Sequence, residues 1–307
     1  MPVTPDSTLL PSVAAGAGGR LTAFQRALYK LVAGTPLPAR WFVGRAPKAR
    51  ELPGRRGHLT LEVVSHCWRY AHLQAYQLSS LAMHPPTGLS VRMTVYYAEE
   101  DEVTRSLLAA FGRRDVPGVT WDWRPLPRTA LMRRCIGRND AALRTTADWI
   151  WFTDCDLLFA EGCLDALATQ LQGRQDPLVY PREEACTELL PANDTDLVRE
   201  DGLSSLITID PSRFTPRAIS RATGPLQITH GDAARQMGYC QGVHCYLEPA
   251  EKWQKAHEDR VFRWTLNSQG TPLDLPGVFR IRHLEKGRYT GTALNTRVRS
   301  RIRQLKS

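Results

Sequence analysis

The chain has 307 residues and a mass of 34.5 kDa, which is enough for one large α/β domain or two modest ones around a substantial buried core. Hydrophobic residues make up 42% of the chain and charged residues 23%, and this composition excludes a largely disordered or collagen-like protein. No apolar run in the sequence approaches the ~20 residues that span a bilayer, so we predict no membrane-spanning helix.

The formal net charge of +9 is concentrated at the two ends of the chain. Residues 1–50 carry a net charge of +6 and residues 297–307 a net charge of +5, which leaves −2 for the remaining residues. A fold that binds nucleic acid spreads its basic residues over the folded face, so we predict no nucleic-acid partner. The basic ends suit peripheral contact with an anionic membrane surface, and the alternative is that they only keep the protein soluble.

The seven cysteines form no CxxC pair, and the segments around several of them are apolar. Buried, reduced thiols are typical of a cytosolic protein, and the N-terminus lacks the charged-then-apolar pattern of a secretory signal. We therefore expect a cytoplasmic protein, with peripheral membrane contact through its basic ends. Cys240, His244 and Cys245 have no fourth ligand at a recognisable spacing, so we do not predict a zinc site.

Three segments follow one another along the chain. Residues 1–57 form an N-terminal extension and linker that is rich in proline and glycine, residues 58–290 form one folded domain, and residues 291–307 form a basic tail. Within the extension, apolar residues over 21–32 recur at helical spacing. This spacing predicts a helix that docks on the domain, with an interfacial helix as the alternative.

From residue 59 onward, strand-like and helix-like segments alternate. The predicted strands are 59–66, 90–97, 119–123, 148–153 and 178–180. The predicted helices between them are 70–83, 102–111, 132–145 and 162–171. Alternation with short connections indicates an α/β fold, a Rossmann-like and mostly parallel sheet flanked by helices. In such a sheet, ligands bind beyond the carboxyl ends of the strands.

Two carboxylates follow the fourth predicted strand directly, in the sequence WIWFTDCD over residues 149–156. Asp154 and Asp156 are two residues apart, so strand alternation sends both side chains to the same side. Close carboxylates repel each other unless a cation lies between them, and oxygen ligands suit Mg²⁺ or Mn²⁺. The alternative is a turn with solvated aspartates. An aspartyl phosphotransferase is disfavoured because the pair follows the fourth strand and position 158 is Leu.

The segments RNDAAL (138–143) and ADWIWFTDCD (147–156) together resemble the RN and DxD stretch of family 2 glycosyltransferases, which have the GT-A fold. The resemblance covers roughly residues 59–290 and implies a nucleoside-diphosphate sugar donor, a UDP-sugar in particular. It implies donor contacts from Ser65, Glu99, Arg138 and Asp154, and a metal ion, Mn²⁺ or Mg²⁺, on Asp154 and Asp156. The match at Glu99 is loose, because the family has an Asp pair there followed by Gly-Ser.

The resemblance also implies a catalytic base in the segment HEDR, at Glu258 or Asp259, within a helix predicted over 253–266. A positioned carboxylate lowers the barrier for a poorly nucleophilic hydroxyl by taking its proton in the transition state. Displacement in line at the anomeric carbon would invert its configuration. Sequence spacing slightly favours Asp259 and leaves Glu258 open. The alternative is a charged cluster on a helix surface.

Three further residues complete the site that the resemblance implies. Gly242 belongs to a glycine-containing loop, GYCQG, that the family places beside the donor sugar, and an ordinary turn is the alternative. His283 follows a strand predicted over 278–284 and matches a late histidine that binds metal in several GT-A enzymes, whereas a lone histidine is more often structural. Arg282 would neutralise the diphosphate as it leaves.

The sequence therefore favours an inverting, metal-dependent glycosyltransferase that transfers a sugar to a glycan or a lipid-linked acceptor, as in the synthesis of cell-surface polysaccharides. The alternative from another class is a non-catalytic nucleotide- or glycan-binding protein with the same fold. A dinucleotide-dependent oxidoreductase is disfavoured because no GxGxxG follows the first strand.

Overall fold

The computed structural model describes residues 19–198, 205–253 and 257–284. The strands in these ranges are β1 Leu59–Cys67, β2 Leu89–Tyr97, β3 Val119–Pro125, β4 Trp149–Phe152, β5 Leu157–Phe159, β6 Leu178–Pro181, β7 Glu183–Thr187, β8 Phe214–Ala218, β9 Gln227–His230, β10 Thr271–Leu273 and β11 Val278–Arg280. The helices are α1 Gly19–Val32, α2 Ala71–Met83, α3 Glu102–Gly112, α4 Arg128–Leu131, α5 Arg134–Arg144, α6 Cys163–Leu171, α7 Gly231–Met237 and α8 Glu258–Thr265. The tail over 291–307 lies outside the described residues.

The main sheet has seven strands in the order β10-β6-β9-β4-β1-β2-β3. The strands β4, β1, β2 and β3 are parallel, and β10 is parallel to β6, whereas β9 runs antiparallel to both of its neighbours. The predicted class is confirmed: the domain is α/β, with a mostly parallel central sheet between helices. The carboxyl ends of β1, β2 and β4 meet at one edge, where a ligand would bind.

Strand alternation divides the buried apolar side chains into two layers, one on each face of the main sheet. Val63 and Trp151 point into one layer, where they meet residues of α2, α3 and α6 such as Leu73. Val64 and Phe152 point into the other, where the partners come from α5, α8 and the segment after α7. Because both faces are covered, all four residues of β4 and most residues of β1 are buried.

A second, smaller sheet has the order β5-β11-β7-β8, with β11 antiparallel to β5 and parallel to β7. It is attached to the end of β4, because the amide of Ile281 donates a hydrogen bond of 2.9 Å to the carbonyl oxygen of Asp156. This sheet brings residues that are far apart in sequence beside the two aspartates.

Residues 19–57 pack against the domain across its second apolar layer. The indole of Trp264 on α8 donates a hydrogen bond of 2.8 Å to the carbonyl oxygen of Leu37, and its ring contacts those of Tyr29 and Phe42. Helix α1 covers the segment predicted over 21–32, and Thr22 Oγ1 lies 3.1 Å from Glu248 Oε1. None of the helices in the described ranges is both long and apolar enough to cross a membrane.

Some predicted boundaries differ from those in the structure. The helix predicted over 132–145 is α5, which begins two residues later, at Arg134; the short helix α4, which was not predicted, ends at Leu131, just before the predicted range. The helix predicted over 253–266 begins at Glu258, after His257 in a left-handed conformation (φ 56°); residues 254–256 lie outside the described ranges. The strand predicted over 278–284 ends at Arg280.

Candidate functional site

The candidate site lies at the carboxyl end of β4, where Thr153 and Asp154 begin a turn into β5. A buried glutamine on α2 holds this turn. The Gln77 side-chain amide donates to Thr153 Oγ1 (3.2 Å) and to the carbonyl oxygens of Asp154 (3.1 Å) and Leu157 (2.9 Å). Buried carbonyls need such partners, so the backbone around the aspartates has a fixed conformation.

Asp154 points toward α5, where two arginines contact the same carboxylate oxygen. Arg134 forms a short ion pair with it, and Arg138 Nη2 lies 3.3 Å away. Arg138 is fully buried and also donates to the carbonyl oxygen of Thr153 (3.0 Å) and to the hydroxyl of Tyr239 (2.9 Å). Burial alone would lower the pKa of Arg134, but the carboxylates of Asp154 and Glu258 raise it well above its usual value. Both guanidiniums therefore stay charged.

Asp156 points to a different group of residues, contributed by the second sheet. Its carboxylate oxygen Oδ2 lies 3.9 Å from Nε2 of His283, and both side chains are buried. Arg280 on β11 pairs with Glu184 on β7 in the same region. Burial would lower the pKa of Arg280, yet the charges of Asp156 and Glu184 raise it. The structure thus brings together Asp156 and His283, two of the three predicted metal ligands.

The donor set can be tested against the predicted cation. A carboxylate oxygen and an imidazole nitrogen suit Mn²⁺, and Mg²⁺ accepts the carboxylate. Over the described ranges, no cluster of three or more His, Cys, Asp or Glu residues has the spacing of a metal site. Asp154 is held by the two arginines instead. Asp156 and His283 therefore fit a divalent cation only when a bound ligand supplies the remaining oxygens, as a diphosphate does.

The two candidates for a catalytic base are neighbours on α8 with different surroundings. Glu258 is buried, and its Oε1 lies 3.3 Å from Nε of Arg134, so Arg134 joins Glu258 to Asp154. Asp259 keeps 34% of its side chain exposed and lies 3.3 Å from Nη1 of Arg263, one helical turn later. The backbone carbonyl of Asp259 accepts a hydrogen bond from Gln227.

A chain of hydrogen bonds through the interior connects the turn at Asp154 with the backbone of Asp259. Arg138 donates to the Tyr239 hydroxyl (2.9 Å), which donates to Gln227 Oε1 (2.8 Å). The amide nitrogen of Gln227 then donates to the carbonyl of Asp259 at 3.3 Å. These direct contacts link the turn at Asp154 to the start of α8.

The other residues predicted to contact the sugar donor differ in burial and in their neighbours. Ser65 is buried in β1 and hydrogen-bonds to Gln74 at 3.3 Å, whereas Glu99 is exposed just after β2. The backbone of Arg282 is fixed, since its amide donates to Thr187 Oγ1 at 2.8 Å. A Cβ on Gly242 would lie 2.8 Å from Cγ1 of Val43, so the close approach at this glycine is to the N-terminal extension.

Several site residues escaped the sequence analysis. Asn139 belongs to the RN pair of the motif, but no role was predicted for it. Its Oδ1 accepts a hydrogen bond of 2.9 Å from the amide of Tyr239. The glycine that this contact requires is Gly238, which has a φ of +59° and whose Cβ would lie 2.4 Å from that oxygen. Nothing in the sequence distinguishes Arg134 and Gln77 from other helical residues of their type, because a single arginine or glutamine on a helix is common.

His66 near the end of β1 is another unforeseen member of the site. Its ring stacks on Tyr96 at 5.1 Å, and both ring nitrogens are buried with no hydrogen-bond partner in the described structure. Burial lowers the pKa of His66 well below its ordinary value, and the charges of Arg138 and Arg134 lower it further. The ring is therefore neutral at physiological pH.

Comparison with solved structures finds similarity to glycosyltransferases. TarS residues 1–349 from S. aureus matches with a TM-score of 0.46 at 10% identity, over 73% of this chain and 60% of that one. The same protein in complex with UDP-GlcNAc matches over 76% of this chain, with the same TM-score and identity. The mannosyltransferase PcManGT from Pyrobaculum calidifontis, in complex with GDP-Man and Mn²⁺, has a TM-score of 0.42 at 16% identity, over 94% of this chain and 73% of that one.

No protein-family model and no curated protein sequence matches the chain. The chain spans about 60% of the length of the TarS 1–349 structure.

Proposed function

We propose that the chain is an inverting glycosyltransferase of the family 2 type with a GT-A fold. It would transfer a sugar from a nucleoside-diphosphate donor, a UDP-sugar, to a hydroxyl of a glycan or lipid-linked acceptor. The catalytic unit would be residues 58–290, with residues 1–57 as an extension and 291–307 as a basic tail, in the cytoplasm. The observation that carries the proposal is that two groups of site residues follow β4 at the carboxyl edge of the sheet: Asp154 and Glu258 share Arg134, and Asp156 lies beside His283.

The donor would bind on the side of Asp156. Asp156 and His283 would hold a divalent cation, Mn²⁺ or Mg²⁺, together with oxygens of the diphosphate; when bound, the cation neutralises the charge that develops on the leaving nucleoside diphosphate. Asp154 would contribute to donor binding through its fixed position between Arg134 and Arg138. Ser65, Glu99, Gly242 and Arg282 are the further donor contacts that we propose.

The acceptor would bind on the side of α8, where we assign the base to Asp259. A base must reach the acceptor hydroxyl, and Asp259 has an exposed carboxylate that Arg263 orients. Glu258 is buried against Arg134, so we assign it the positioning of that arginine. With the base and the leaving group on opposite sides of the anomeric carbon, the transfer would invert its configuration.

The test is release of nucleoside diphosphate from a panel of UDP-sugars and GDP-sugars, with Mn²⁺, with Mg²⁺ and with a chelator. We expect metal-dependent release by the wild-type chain. Asp156→Asn should lower the rate by about 10²-fold or more, and Asp259→Asn by about 10²- to 10⁴-fold. Asp274→Asn is the matched control, because Asp274 is an exposed carboxylate paired with Arg182. Full activity in Asp156→Asn would contradict the assignment.

One observation favours the second candidate, a non-catalytic nucleotide- or glycan-binding protein. Asp154 and Glu258 both pair with Arg134. Ion pairs of this kind stabilise the folded protein, so they do not require that the two carboxylates take part in a reaction. Thermal shift with UDP and Mn²⁺ distinguishes the two functions. Stabilisation by UDP without release from any donor, in the presence of glycan and lipid-linked acceptors, would support the binding protein and contradict catalysis.

A further inference from the structure

Helix α1 exposes a row of large apolar side chains along one face. Leu21, Phe24, Leu28 and Leu31 are spaced three, four and three residues apart, which places them on one side of a helix. They are 62%, 65%, 43% and 69% exposed, respectively. We call these four residues the apolar ridge. An exposed contiguous apolar row on a water-soluble domain indicates a surface that binds something.

The ridge is exposed although the helix itself is docked. Thr22 and Val32 of the same helix are buried against the domain. The helix contacts α8 and the turn at His244–Tyr246, and the hydroxyl of Tyr246 lies 3.5 Å from the carbonyl oxygen of Arg26. The packing of α1 therefore fixes which face points outward, and that face is the apolar one.

The apolar surface continues beyond the helix. Leu37 is 39% exposed and Trp41 is 65% exposed, both in the segment that follows α1. Tryptophan is the side chain most suited to the boundary between lipid and water, because it has a large apolar ring and one polar N–H group. The continuation includes no carboxylate, so nothing in this segment opposes contact with a negatively charged partner.

The sequence segment that carries the ridge has charges of one sign. Residues 19–50 contain seven Lys and Arg residues and no Asp or Glu. Among them, Lys30 and Arg40 are exposed close in sequence to Leu31 and Trp41. Basic side chains beside an apolar helix face are the pattern of helices that lie in the interface of an anionic bilayer, with the apolar side in the acyl boundary and the cations at the phosphates.

We propose that α1 docks the protein on an anionic lipid surface through the apolar ridge and Trp41. Charge complementarity decides between a bilayer and a second copy of the chain. Two copies joined through this face would bring fourteen Lys and Arg residues together with no acid from the same segment to neutralise them. An anionic bilayer neutralises these residues and buries the ridge at the same time. The proposal goes beyond glycosyl transfer and does not depend on it.

The docking has a geometric consequence for the candidate site. The inner side of α1 packs on α8, whose first residue is Glu258 and whose second is Asp259. A bilayer in contact with the ridge would therefore have α1 between it and the helix that carries both candidate bases.

The experiment measures co-sedimentation of the full chain with vesicles of phosphatidylcholine alone and of equal parts phosphatidylcholine and phosphatidylglycerol. We expect binding to the anionic vesicles and a clear decrease at high salt. The double variant Phe24→Glu/Leu31→Glu should lower the bound fraction by about tenfold or more, because it removes apolar contact and adds repulsion.

The matched control is Val103→Glu/Leu143→Glu, which places the same charges at exposed apolar positions on α3 and α5. It should bind vesicles like the wild type. Equal melting temperatures of the two double variants would show that both fold. Nucleoside-diphosphate release in the absence of lipid should be unchanged in the ridge variant, which separates this proposal from the proposed function.

Four results would overturn the proposal, and the first three concern vesicle binding and the oligomeric state. These are equal binding to neutral and anionic vesicles, unchanged binding by the ridge variant, and a wild-type dimer in solution that the ridge variant converts to a monomer. Failure of the full chain to bind either vesicle would have the same meaning, since another segment or molecule would then cover the ridge.

Discussion

Arg138 shows how one side chain can serve both fold and site. It was predicted as a donor contact from the RN pair, and the structure finds it fully buried between the turn after β4 and Tyr239. Burying a guanidinium is costly unless acceptors surround it, and Asp154, the Thr153 carbonyl and the Tyr239 hydroxyl are the acceptors beside the two terminal nitrogens of Arg138. Its charge therefore fixes the geometry of the first aspartate even before a ligand binds.

His66 makes the stability of the domain depend on pH. Burial, together with Arg138 and Arg134, keeps its pKa in the folded chain well below the ordinary value of 6.5. As the pH falls through that value, the unfolded chain takes up a proton that the folded chain excludes. The contribution of His66 to the free energy of unfolding is therefore fully present above pH 6.5. It is lost as the pH falls below that value, by up to about 1.4 kcal/mol per pH unit.

The variant His66→Leu should flatten this dependence. We expect its melting temperature to fall less than that of the wild type between about pH 7.5 and pH 5.5. His58→Leu is the control, because His58 lies at the surface beside Ser90. Parallel curves for His66→Leu and the wild type would show that another group causes the acid sensitivity.

Among the elements, helix α2 supports the turn that carries Asp154, and its sequence alone does not show this role. Its Gln77 side chain donates three hydrogen bonds to the turn that carries Asp154. Gln77→Leu keeps the size of the side chain but leaves buried carbonyls without a donor, so we expect a loss of about 2 kcal/mol or more in the free energy of unfolding. Urea denaturation measures this loss.

Gln236→Leu provides the comparison for Gln77→Leu. Gln236 is exposed on α7, and its side-chain amide nitrogen lies 3.4 Å from the carbonyl oxygen of Arg45. This variant should unfold at the same urea concentration as the wild type. Equal stability of the two leucine variants would mean that water replaces the Gln77 amide.

The elements with a clear pattern of apolar residues were predictable from sequence. The strands β1, β2 and β4 are buried runs whose apolar character identifies them, and α3 is marked by Asp101 as its N-cap. The strands β9 and β10 have four and three residues, too few for a period to appear, whereas β11 was predicted and ends earlier than expected. The antiparallel direction of β9 and the whole second sheet follow from tertiary contacts.

At the scale of the whole molecule, the N-terminal extension is part of the folded body in residues 19–57. Trp264 holds the extension against the domain, because its ring contacts Tyr29 and Phe42 and its indole N–H donates a hydrogen bond to the carbonyl oxygen of Leu37. Trp264→Leu should lower the free energy of unfolding by about 2 kcal/mol or more and expose the bonds after Arg40 and Lys48 to trypsin. Limited proteolysis followed by mass spectrometry identifies these cleavages.

Trp41→Leu is the reference for this change, since Trp41 is 65% exposed and its loss leaves the packing intact. It should be cleaved at the wild-type rate. Unchanged proteolysis of Trp264→Leu would show that the remaining contacts of α1 with the domain suffice.

The candidate site was predictable in part, for a physical reason. Asp154 and Asp156 follow a buried strand directly, so local sequence identified them, and a resemblance to known motifs pointed to Glu258 and His283. The sequence did not show that the two aspartates have separate partners, arginines for one and His283 for the other. That division arises where α5 and the second sheet meet β4, through contacts between residues distant in the chain.

All seven cysteines are buried, and burial raises the pKa of Cys67 to about 12 and that of Cys245 to about 11. Thiolates react with maleimides and thiols do not, so the folded protein is nearly inert to such reagents. A cysteine introduced at one surface position would thus carry a fluorophore or spin label alone. The native chain already offers a background free of competing labels, and its own thiols would react only as it unfolds.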